Sequence, residues 1–287
     1  MTRTTTSLAL LAAATLLSGC GVFNKKPKST PTVGDRVSVL VSELDIAVDP
    51  ETAAAPMELP AAIANADWAQ SGGNAAKLVG HVALPSSLGL AWSQSIGEGS
   101  SRSRRLGGGP VVAGGKVYTI DTLGSVRAFD ATSGTPLWAK RFGDAKGNES
   151  ILYGGGVAVD GGRVYATNGY GFVAALDAAT GAVAWVVRPG GPIRGAPTVS
   201  DGSVYVISQD NQIFSLKADD GSTAWSNAAA LEVAGVFGNG SPAVDRGTVV
   251  AGFSSGELNA YRYENGRMVW QDALSRTSIS TGVGSLS

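Results

Sequence analysis

Few residues in this sequence have the types and spacing that catalysis or metal binding requires. His81 is the single histidine and Cys20 the single cysteine, so the chain has no set of zinc ligands. Gly169–Ala174 matches the pattern G-x-G-x-x-A, but no helix is predicted after it, and a turn between two strands is the better interpretation. Several carboxylates recur beside turns, which favours hydrogen bonds within the turns over a catalytic pair: Asp121, Asp130, Asp160, Asp177 and Asp201. We therefore predict neither a catalytic site nor a bound metal or cofactor.

The elements that would position any site come from a motif that the chain repeats four times between Pro110 and Trp270. Aligned on their second strand, the copies match without a gap and start 47, 40 and 45 residues apart: Lys116–Trp138, Arg163–Trp185, Ser203–Trp225 and Thr248–Trp270. Each copy has four short runs of alternating apolar and polar residues, separated by turn residues such as Asp220-Gly221. A period of about 40–50 residues is typical of β-propeller blades. The sequence therefore predicts an all-β fold, a β-propeller whose blades are four-stranded antiparallel sheets.

Three positions are shared by all four copies. The first is glycine or asparagine and predicts a positive φ: Gly124, Gly171, Asn211 and Gly256. The second is always glycine, and four residues later the third is always tryptophan: Gly134, Gly181, Gly221 and Gly266, with Trp138, Trp185, Trp225 and Trp270. A ligand-stacking aromatic residue rarely recurs in every repeat. We therefore interpret these tryptophans as packing anchors between blades, on the outermost strands.

The repeats resemble those of pyrroloquinoline-quinone (PQQ) proteins, most clearly in Val173–Trp185, whereas the Trp-Asp pair of WD repeats is absent.

Trp92 lies 46 residues before Trp138, about one period, and we predict a strand at Leu90–Ser93 that completes a blade. Strands that would pair with it are not recognisable before it, and after Trp270 the sequence stops short of another blade. We therefore expect four complete blades here and a longer propeller in the complete protein.

The first residues resemble the export signal of bacterial lipoproteins. Arg3 supplies a short basic region, Leu8–Leu17 is an apolar run too short to span a bilayer, and Leu17–Cys20 has the hydrophobic-small-small-Cys pattern of a lipobox. The resemblance implies cleavage before Cys20 and acylation of that cysteine, and Gly21 implies passage to the outer membrane. We expect a signal peptide at 1–19, a lipid-anchored tether and linker at 20–65, and a partial propeller at 66–287.

Composition and charge fit an exported β protein. A formal net charge of −1 argues against a nucleic-acid partner. With Cys20 as the single cysteine, a protein sent to an oxidising compartment carries no disulfide.

Ser100–Arg105 contains three arginines before the first blade. We interpret it as a solvated loop, with contact to a phosphate or an acidic partner as the alternative.

The lipobox together with the PQQ-type repeats resembles the BamB family, lipoproteins of the outer-membrane β-barrel assembly (BAM) machinery. The resemblance covers about Ala66–Ser287 and includes Asp67-Trp68 and Gly72–Asn74. It implies a propeller of about eight blades, no enzymatic activity, and a lipid-anchored position at the periplasmic face of the outer membrane. The implied partners are the periplasmic domain of BamA, other BAM subunits and nascent outer-membrane proteins.

The resemblance also implies a docking loop between the third and fourth blades, at Leu231–Gly240. The implied partner-binding residues within it are Val236, Phe237, Gly238 and Asn239. Val236 and Phe237 stand where the family can have a hydrophobic residue followed by arginine. An apolar contact is therefore expected there without the ion pair. A second docking loop would follow Thr277–Ser287.

Two other functions are compatible with a propeller of this type. A PQQ-dependent dehydrogenase needs a Ca²⁺ site of several oxygen ligands, a catalytic aspartate and commonly a vicinal disulfide. Cys20 alone supplies no disulfide, and no Glu/Asn/Asp cluster stands outside the repeat pattern. The other function is a lipid-anchored propeller that binds another envelope component, such as peptidoglycan or a polysaccharide, for which Tyr153 and Tyr170 are the hints.

Overall fold

The computed structural model describes residues 49–143, 152–231 and 238–273. The chain divides into two compact units between Glu58 and Leu59. In the first unit, the short helix α1 (Pro50–Ala54) begins after Asp49, whose carboxylate accepts a hydrogen bond of 2.6 Å from the hydroxyl of Thr52. Over the described ranges, helices are too short and too polar to cross a bilayer. The predicted signal peptide, with Cys20, lies outside the described residues.

The described residues of the second unit form four sheets, numbered here as blades 1 to 4; each has four antiparallel strands, and the sheet of blade 2 has a fifth, parallel strand. Blade 1 comprises β2 (Val111–Ala113), β3 (Lys116–Ile120), β4 (Ser125–Asp130) and β5 (Pro136–Arg141). Blade 2 comprises β6 (Leu152–Asp160), β7 (Arg163–Asn168), β8 (Val173–Asp177) and β9 (Val183–Val187), and β1 (Arg104–Leu106) pairs parallel to β6. Blade 3 comprises β10 (Thr198–Ser200), β11 (Ser203–Ile207), β12 (Gln212–Lys217) and β13 (Thr223–Ala228). Blade 4 comprises β14 (Ala243–Asp245), β15 (Thr248–Gly252), β16 (Glu257–Arg262) and β17 (Met268–Ala273). The predicted all-β fold of four-stranded antiparallel blades is confirmed.

A shift of register recurs between the third and fourth strand of every blade. It falls at Ala128/Phe129, Ala175/Leu176, Ser215/Leu216 and Ala260/Tyr261. Such a bulge bends the strand and increases its twist. In blades 1 to 3 the tryptophan that lies beside this bulge donates its indole N–H to the next blade.

The conserved turn geometry of the repeats follows from the shared glycine and asparagine positions. The predicted positive φ is confirmed in all four second turns, at 82° for Gly124, 92° for Gly171, 58° for Asn211 and 83° for Gly256. The third turns have the same feature, with φ between 69° and 74° at Gly134, Gly181, Gly221 and Gly266. Because side chains disfavour this region, these residues fix where each hairpin ends.

The hydrophobic core is distributed over the interfaces between neighbouring blades. One cluster joins blades 1 and 2 through residues such as Val126 and Val164, a second joins blades 2 and 3, and a third joins blades 3 and 4. Full burial of a side chain of this size contributes roughly 1.5–3 kcal/mol. Each blade is therefore stabilised mainly by its neighbours, as in other repeat proteins.

One local prediction from the sequence is wrong, and another stays a prediction. Leu90–Ser93 pairs with no strand among the described residues, and the partners predicted for it are not recognisable in this sequence; the Trp92 side chain donates to the carbonyl oxygen of Ala131. Arg104–Leu106, predicted to be part of a solvated loop, forms β1. It can pair with β6 because Gly107 and Gly154 lack side chains where the two segments meet.

Candidate partner-binding site

The two ends of the blades carry different features. Because neighbouring strands run in opposite directions, the second turns and the connections between blades fall at one end, which we call the loop end. The first and third turns fall at the other end. The segment Asp67–Ala75, which we call the strap, crosses the first strands there, and we call this end the strap end. The two ends therefore offer different surfaces to a partner.

The strap forms hydrogen bonds with the main chain of each blade in turn. Trp68 exchanges two backbone hydrogen bonds with Val112, of 2.7 and 2.9 Å. The carbonyl oxygens of Ala69 and Ala75 accept bonds of 2.8 Å from the backbone N–H groups of Val159 and Val244. In blade 3 the contact is made by the Gln70 side chain, whose amide donates to the Val199 carbonyl at 2.8 Å and accepts from its N–H at 2.9 Å. The strap thus occupies the inner edge of all four blades at this end.

At the loop end, the first strands approach one another through glycine. A Cβ at Gly154 would lie 2.3 Å from the carbonyl oxygen of Arg194, and one at Gly195 would lie 2.5 Å from that of Gly240. Both distances are too short for a real side chain, so these segments touch through their main chains. The described residues also contain no group of three or more His, Cys, Asp or Glu side chains that could hold a metal ion.

Gly238 and Asn239, two of the predicted partner-binding residues, are exposed at the loop end. They precede β14, and the backbone that follows them is held against blade 3 at Gly195. The other two predicted residues, Val236 and Phe237, lie outside the described residues, as does Thr277–Ser287. The structure therefore places two of the four predicted partner-binding residues on the protein surface, beside a junction of two blades.

A cleft of about 270 Å³ opens at this junction of blades 3 and 4. Its wall includes Gly238 and Gly240 from the predicted docking loop, Arg194 from blade 3, and Phe253 and Ser254 from blade 4. The aromatic ring and the glycines give the cleft an apolar side, and the guanidinium gives it a cationic edge. Such a cleft suits a side chain or chain segment with an apolar part and an acceptor oxygen.

Hydrogen bonds hold the cationic edge of the cleft in place. One amino group of Arg194 donates to the carbonyl oxygen of Gln209 at 2.8 Å and to the hydroxyl of Ser254 at 3.1 Å. Ser254 in turn donates to the Asn211 side chain at 2.8 Å. Burial lowers the pKa of Arg194 and the charge of Asp210 partly offsets this, so the guanidinium stays charged at neutral pH. This network joins blade 3 to blade 4.

The carboxylates assigned to turns behave as predicted in three cases. Asp121 accepts bonds from the N–H groups of Leu123 and Ser125, and Asp130 and Asp177 cap the third turns of blades 1 and 2 in the same way. The hydrogen bonds from Ser133 and Thr180 lower the pKa of Asp130 and Asp177. Asp160 differs, because burial, and then the charge of Asp201, raises its pKa. Asp201 accepts a bond from the hydroxyl of Ser200.

Sequence reasoning missed Arg194 and the strap. Arg194 is a charged residue within the glycine-rich stretch Gly190–Ala196, and this feature of the sequence could have indicated it as a candidate site residue. The strap gives no periodic signal, because it contacts each blade through one or two residues. His81, predicted to be a loop residue, is exposed, and its Nδ1 lies 2.8 Å from the carbonyl oxygen of Pro60.

Comparison with known proteins points to one family. The family model for "Outer membrane protein assembly factor BamB" matches residues 122–286. The protein of that name from Escherichia coli K12 is 32% identical over 241 residues, which cover 69% of this chain and 51% of the relative. The chain thus spans about half the length of the relatives it matches.

Solved structures give the same result for the fold. BamB from Moraxella catarrhalis superposes with a TM-score of 0.51 at 26% identity, over 58% of this chain and 48% of that one. A europium-containing methanol dehydrogenase superposes with a TM-score of 0.59 at 18% identity, over 73% of this chain and 49% of that one. At that identity the second likeness concerns the fold alone.

Proposed function

The chain belongs to the family of the outer membrane protein assembly factor BamB, and from that premise we propose that it is a non-enzymatic scaffold subunit of the BAM machinery. In this role it assists the folding and insertion of β-barrel proteins into the outer membrane. The family match over residues 122–286 carries the proposal. Its partners are the periplasmic domain of BamA, other BAM subunits and nascent outer-membrane proteins.

The proposed docking surface for BamA is the loop end at the junction of blades 3 and 4. Two observations support this choice: Gly238 and Asn239 are exposed there, and they adjoin the cleft that holds Arg194. Val236 and Phe237 would add an apolar contact. Apolar anchors beside a charged group are common at the centre of protein interfaces.

The proposed attachment to the membrane is a lipid on Cys20, at the periplasmic face of the outer membrane. Several acyl chains at roughly 0.8 kcal/mol per buried methylene give stable anchoring without a transmembrane helix. A variant whose residues 1–20 are replaced by a signal peptide that is cleaved without acylation should therefore move from the membrane fraction to the soluble periplasmic fraction. Retention in the membrane fraction would contradict the anchor.

A pull-down from detergent-solubilised envelopes of the native host tests the scaffold function. The lipidated protein, expressed at full gene length, should recover a barrel-assembly subunit identified by mass spectrometry. The Val236→Asp/Phe237→Asp double variant should lose that subunit, because two buried carboxylates would replace an apolar contact. Arg246→Asp is the matched control, since Arg246 is exposed at the opposite end of the same blade. Equal loss in the control would overturn the assigned surface.

The alternative functions make different predictions. A PQQ-dependent dehydrogenase should oxidise alcohols with a dye acceptor after addition of PQQ and Ca²⁺, but the described residues contain no group of three or more His, Cys, Asp or Glu side chains that could hold the metal ion. A propeller that binds another envelope component should recover cell-wall material. Tyr170 is buried and gives that function no exposed aromatic surface, whereas Tyr153 is half-buried and its hydroxyl donates to the carbonyl oxygen of Arg102.

A further inference from the structure

The second turn of blade 3 differs from the second turns of the other blades. Asn211 stands at the position that Gly124, Gly171 and Gly256 occupy, and its φ of 58° is positive like theirs. In blade 2 the connection to the next blade packs directly on the glycine, since a Cβ on Gly171 would lie 2.6 Å from the carbonyl oxygen of Gly191. In blade 3 a side chain lies there instead, and asparagine tolerates the positive φ. Asn211 can therefore make contacts that a glycine cannot.

The Asn211 side chain links three segments at the junction of blades 3 and 4. Its oxygen accepts hydrogen bonds from the N–H and the hydroxyl of Ser254, at 3.2 and 2.8 Å. Its nitrogen donates to the carbonyl oxygen of Ala230, where the connection from blade 3 to blade 4 begins, at 2.8 Å. Asn211 is 1% exposed. The second turns of two blades and the start of the connection between them are thus tied to one buried side chain.

These partners require an amide. A backbone N–H can only donate and a backbone carbonyl can only accept, so the side chain must present an oxygen to Ser254 and an N–H to Ala230. A carboxylate has no donor for Ala230, and glycine has neither group. The residue type at position 211 therefore follows from two partners as well as from φ.

The same network reaches the charged group of the cleft. Ser254 accepts a hydrogen bond of 3.1 Å from the Arg194 guanidinium, which forms the cationic edge of the cleft. The same amino group donates to the carbonyl oxygen of Gln209 at 2.8 Å. One acceptor lies in the second turn of blade 4 and the other in the second turn of blade 3. Because Asn211 ties these turns together, it keeps both acceptors within reach of one nitrogen atom of Arg194.

We propose that Asn211 is a positioning residue for partner binding at the loop end. Its amide holds Ser254, and through Ser254 it holds the Arg194 guanidinium in the orientation that a partner meets. The partner supplies an acceptor oxygen to this guanidinium. The inference rests on the proposed function for the identity of the partner, the periplasmic domain of BamA, but the orientation of Arg194 can be measured without any partner.

Chemical modification of Arg194 tests the positioning. The protein, expressed at full gene length, is treated with phenylglyoxal, and modified Arg194 is quantified over time by peptide mass spectrometry. Asn211→Gly should fold, since three blades have glycine at this position, and it should raise the modification rate severalfold because the Ser254 acceptor is released. Ser254→Ala breaks the same connection and should raise the rate by a similar factor. The double variant should add little to either change, because both substitutions act on one chain of hydrogen bonds.

Gln70→Ala is the matched control for this measurement. It removes another buried amide that bonds to the main chain of blade 3, but at the strap end, so it should leave the modification rate of Arg194 unchanged. Equal rates in the parent protein and Asn211→Gly would overturn the proposal. An equal rise in Gln70→Ala would also overturn it, because the effect would then reflect general loosening of blade 3.

Binding to the purified periplasmic domain of BamA from the same host tests the consequence for the partner. In calorimetry, Asn211→Gly should weaken binding about tenfold, the effect of roughly one hydrogen bond to a charged group. In an Arg194→Ala background the same substitution should change the affinity by less than about twofold, whereas an effect of general destabilisation would persist there. Unchanged affinity in Asn211→Gly would overturn the role in partner binding. A parent protein that does not bind the domain would contradict the proposed function, and the modification rates would then decide the positioning of Arg194 by themselves.

Discussion

At the scale of single residues, the glycine and the tryptophan of each repeat do not contact each other. They are four positions apart in one blade, but the glycine receives the tryptophan of the preceding blade, as Gly221 receives Trp185. Glycine is required at position 221 for two reasons. The φ of 74° disfavours a side chain, and the Cα lies under the indole ring of Trp185. Conformation and close packing therefore constrain the same residue.

Replacing one of these glycines should be costly. In Gly221→Val, a side chain would enter an unfavourable φ and lie 2.7 Å from a carbon of Trp185, so we expect the free energy of unfolding to fall by about 2–4 kcal/mol. Gly202→Asn is the control, because Gly202 also has a positive φ but has no atom within 4 Å of the position of a Cβ. Asparagine tolerates that φ and should cost under about 1 kcal/mol. Equal losses in urea denaturation would contradict the packing role.

Lys77 gives a prediction about pH. Its Nζ is buried without a hydrogen-bond partner among the described residues, and burial lowers its pKa from 10.5 to about 8. Below pH 8 both the folded and unfolded states are protonated, so the folded protein bears the full cost of the buried charge. As pH rises from 8 to 10.5 the folded state loses the proton first, and the cost disappears.

Lys77→Met should therefore stabilise the protein near neutral pH. We expect a gain of roughly 1–2 kcal/mol below pH 8, allowing for partial solvent screening, that shrinks as the pH approaches 10.5. Lysine and methionine would have the same backbone φ of 58° at position 77, so the strain of that conformation does not contribute to the difference in stability between the two proteins. Urea denaturation at pH 7 and pH 10 measures the difference, with Lys140→Met on the exposed β5 as control. A gain of the same size at both pH values would contradict the assignment.

At the scale of elements, the strap joins blades that are distant in sequence. Gln70 is 5% exposed and satisfies both the N–H and the carbonyl of Val199, 129 residues away. An amide side chain here substitutes for one residue of a neighbouring strand. The strap therefore completes the inner edge of blade 3, which would otherwise leave main-chain groups unpaired.

Removal of that amide should destabilise the protein. In Gln70→Ala, both backbone groups of Val199 lose their partner, and we expect the free energy of unfolding to fall by about 2–4 kcal/mol. Gln94→Ala removes the same amide from an exposed residue and should change stability by less than about 0.5 kcal/mol. Chemical denaturation measures both variants. If the two variants were equally stable, the strap would have no energetic role.

The strands of the blades could be predicted from the sequence because the repeats supply four aligned examples of each element. Trp92 shows the limit of this reasoning. Its spacing places it one period before Trp138, but whether Leu90–Ser93 pairs as a strand depends on partners that the local sequence does not specify. The strap was not predictable for the same reason: its bonds to four blades depend on the assembled propeller.

The candidate site was predictable only in part. Family resemblance indicated Gly238 and Asn239, which are exposed. Arg194 joins them only because the first strands pack through Gly195, a contact that spans two repeats. Periodicity describes one blade at a time, so features shared by two blades require the structure.

At the scale of the whole molecule, stability should depend on the interfaces between blades more than on the blades themselves. The substitution Trp→Phe at equivalent positions tests this. Trp185→Phe removes a buried hydrogen bond of 2.9 Å and part of an interface, and should cost about 1–3 kcal/mol. Trp270→Phe changes an exposed residue and should cost less than about 0.5 kcal/mol. Comparable losses in thermal or urea unfolding would show that the tryptophans stabilise their own blades instead.

The strap also has a consequence for the order of folding during synthesis and export. It precedes all four blades in the chain, yet its last partner, Val244, belongs to blade 4. Blades 1, 2 and 3 can form from contacts that are close in sequence, whereas the strap cannot complete its contacts with these four blades until blade 4 has emerged. Contacts that form late thus use residues that are synthesised early. A chain whose synthesis stops within blade 4 would have an unbound strap that is accessible to proteases. Incomplete propellers would therefore be degraded.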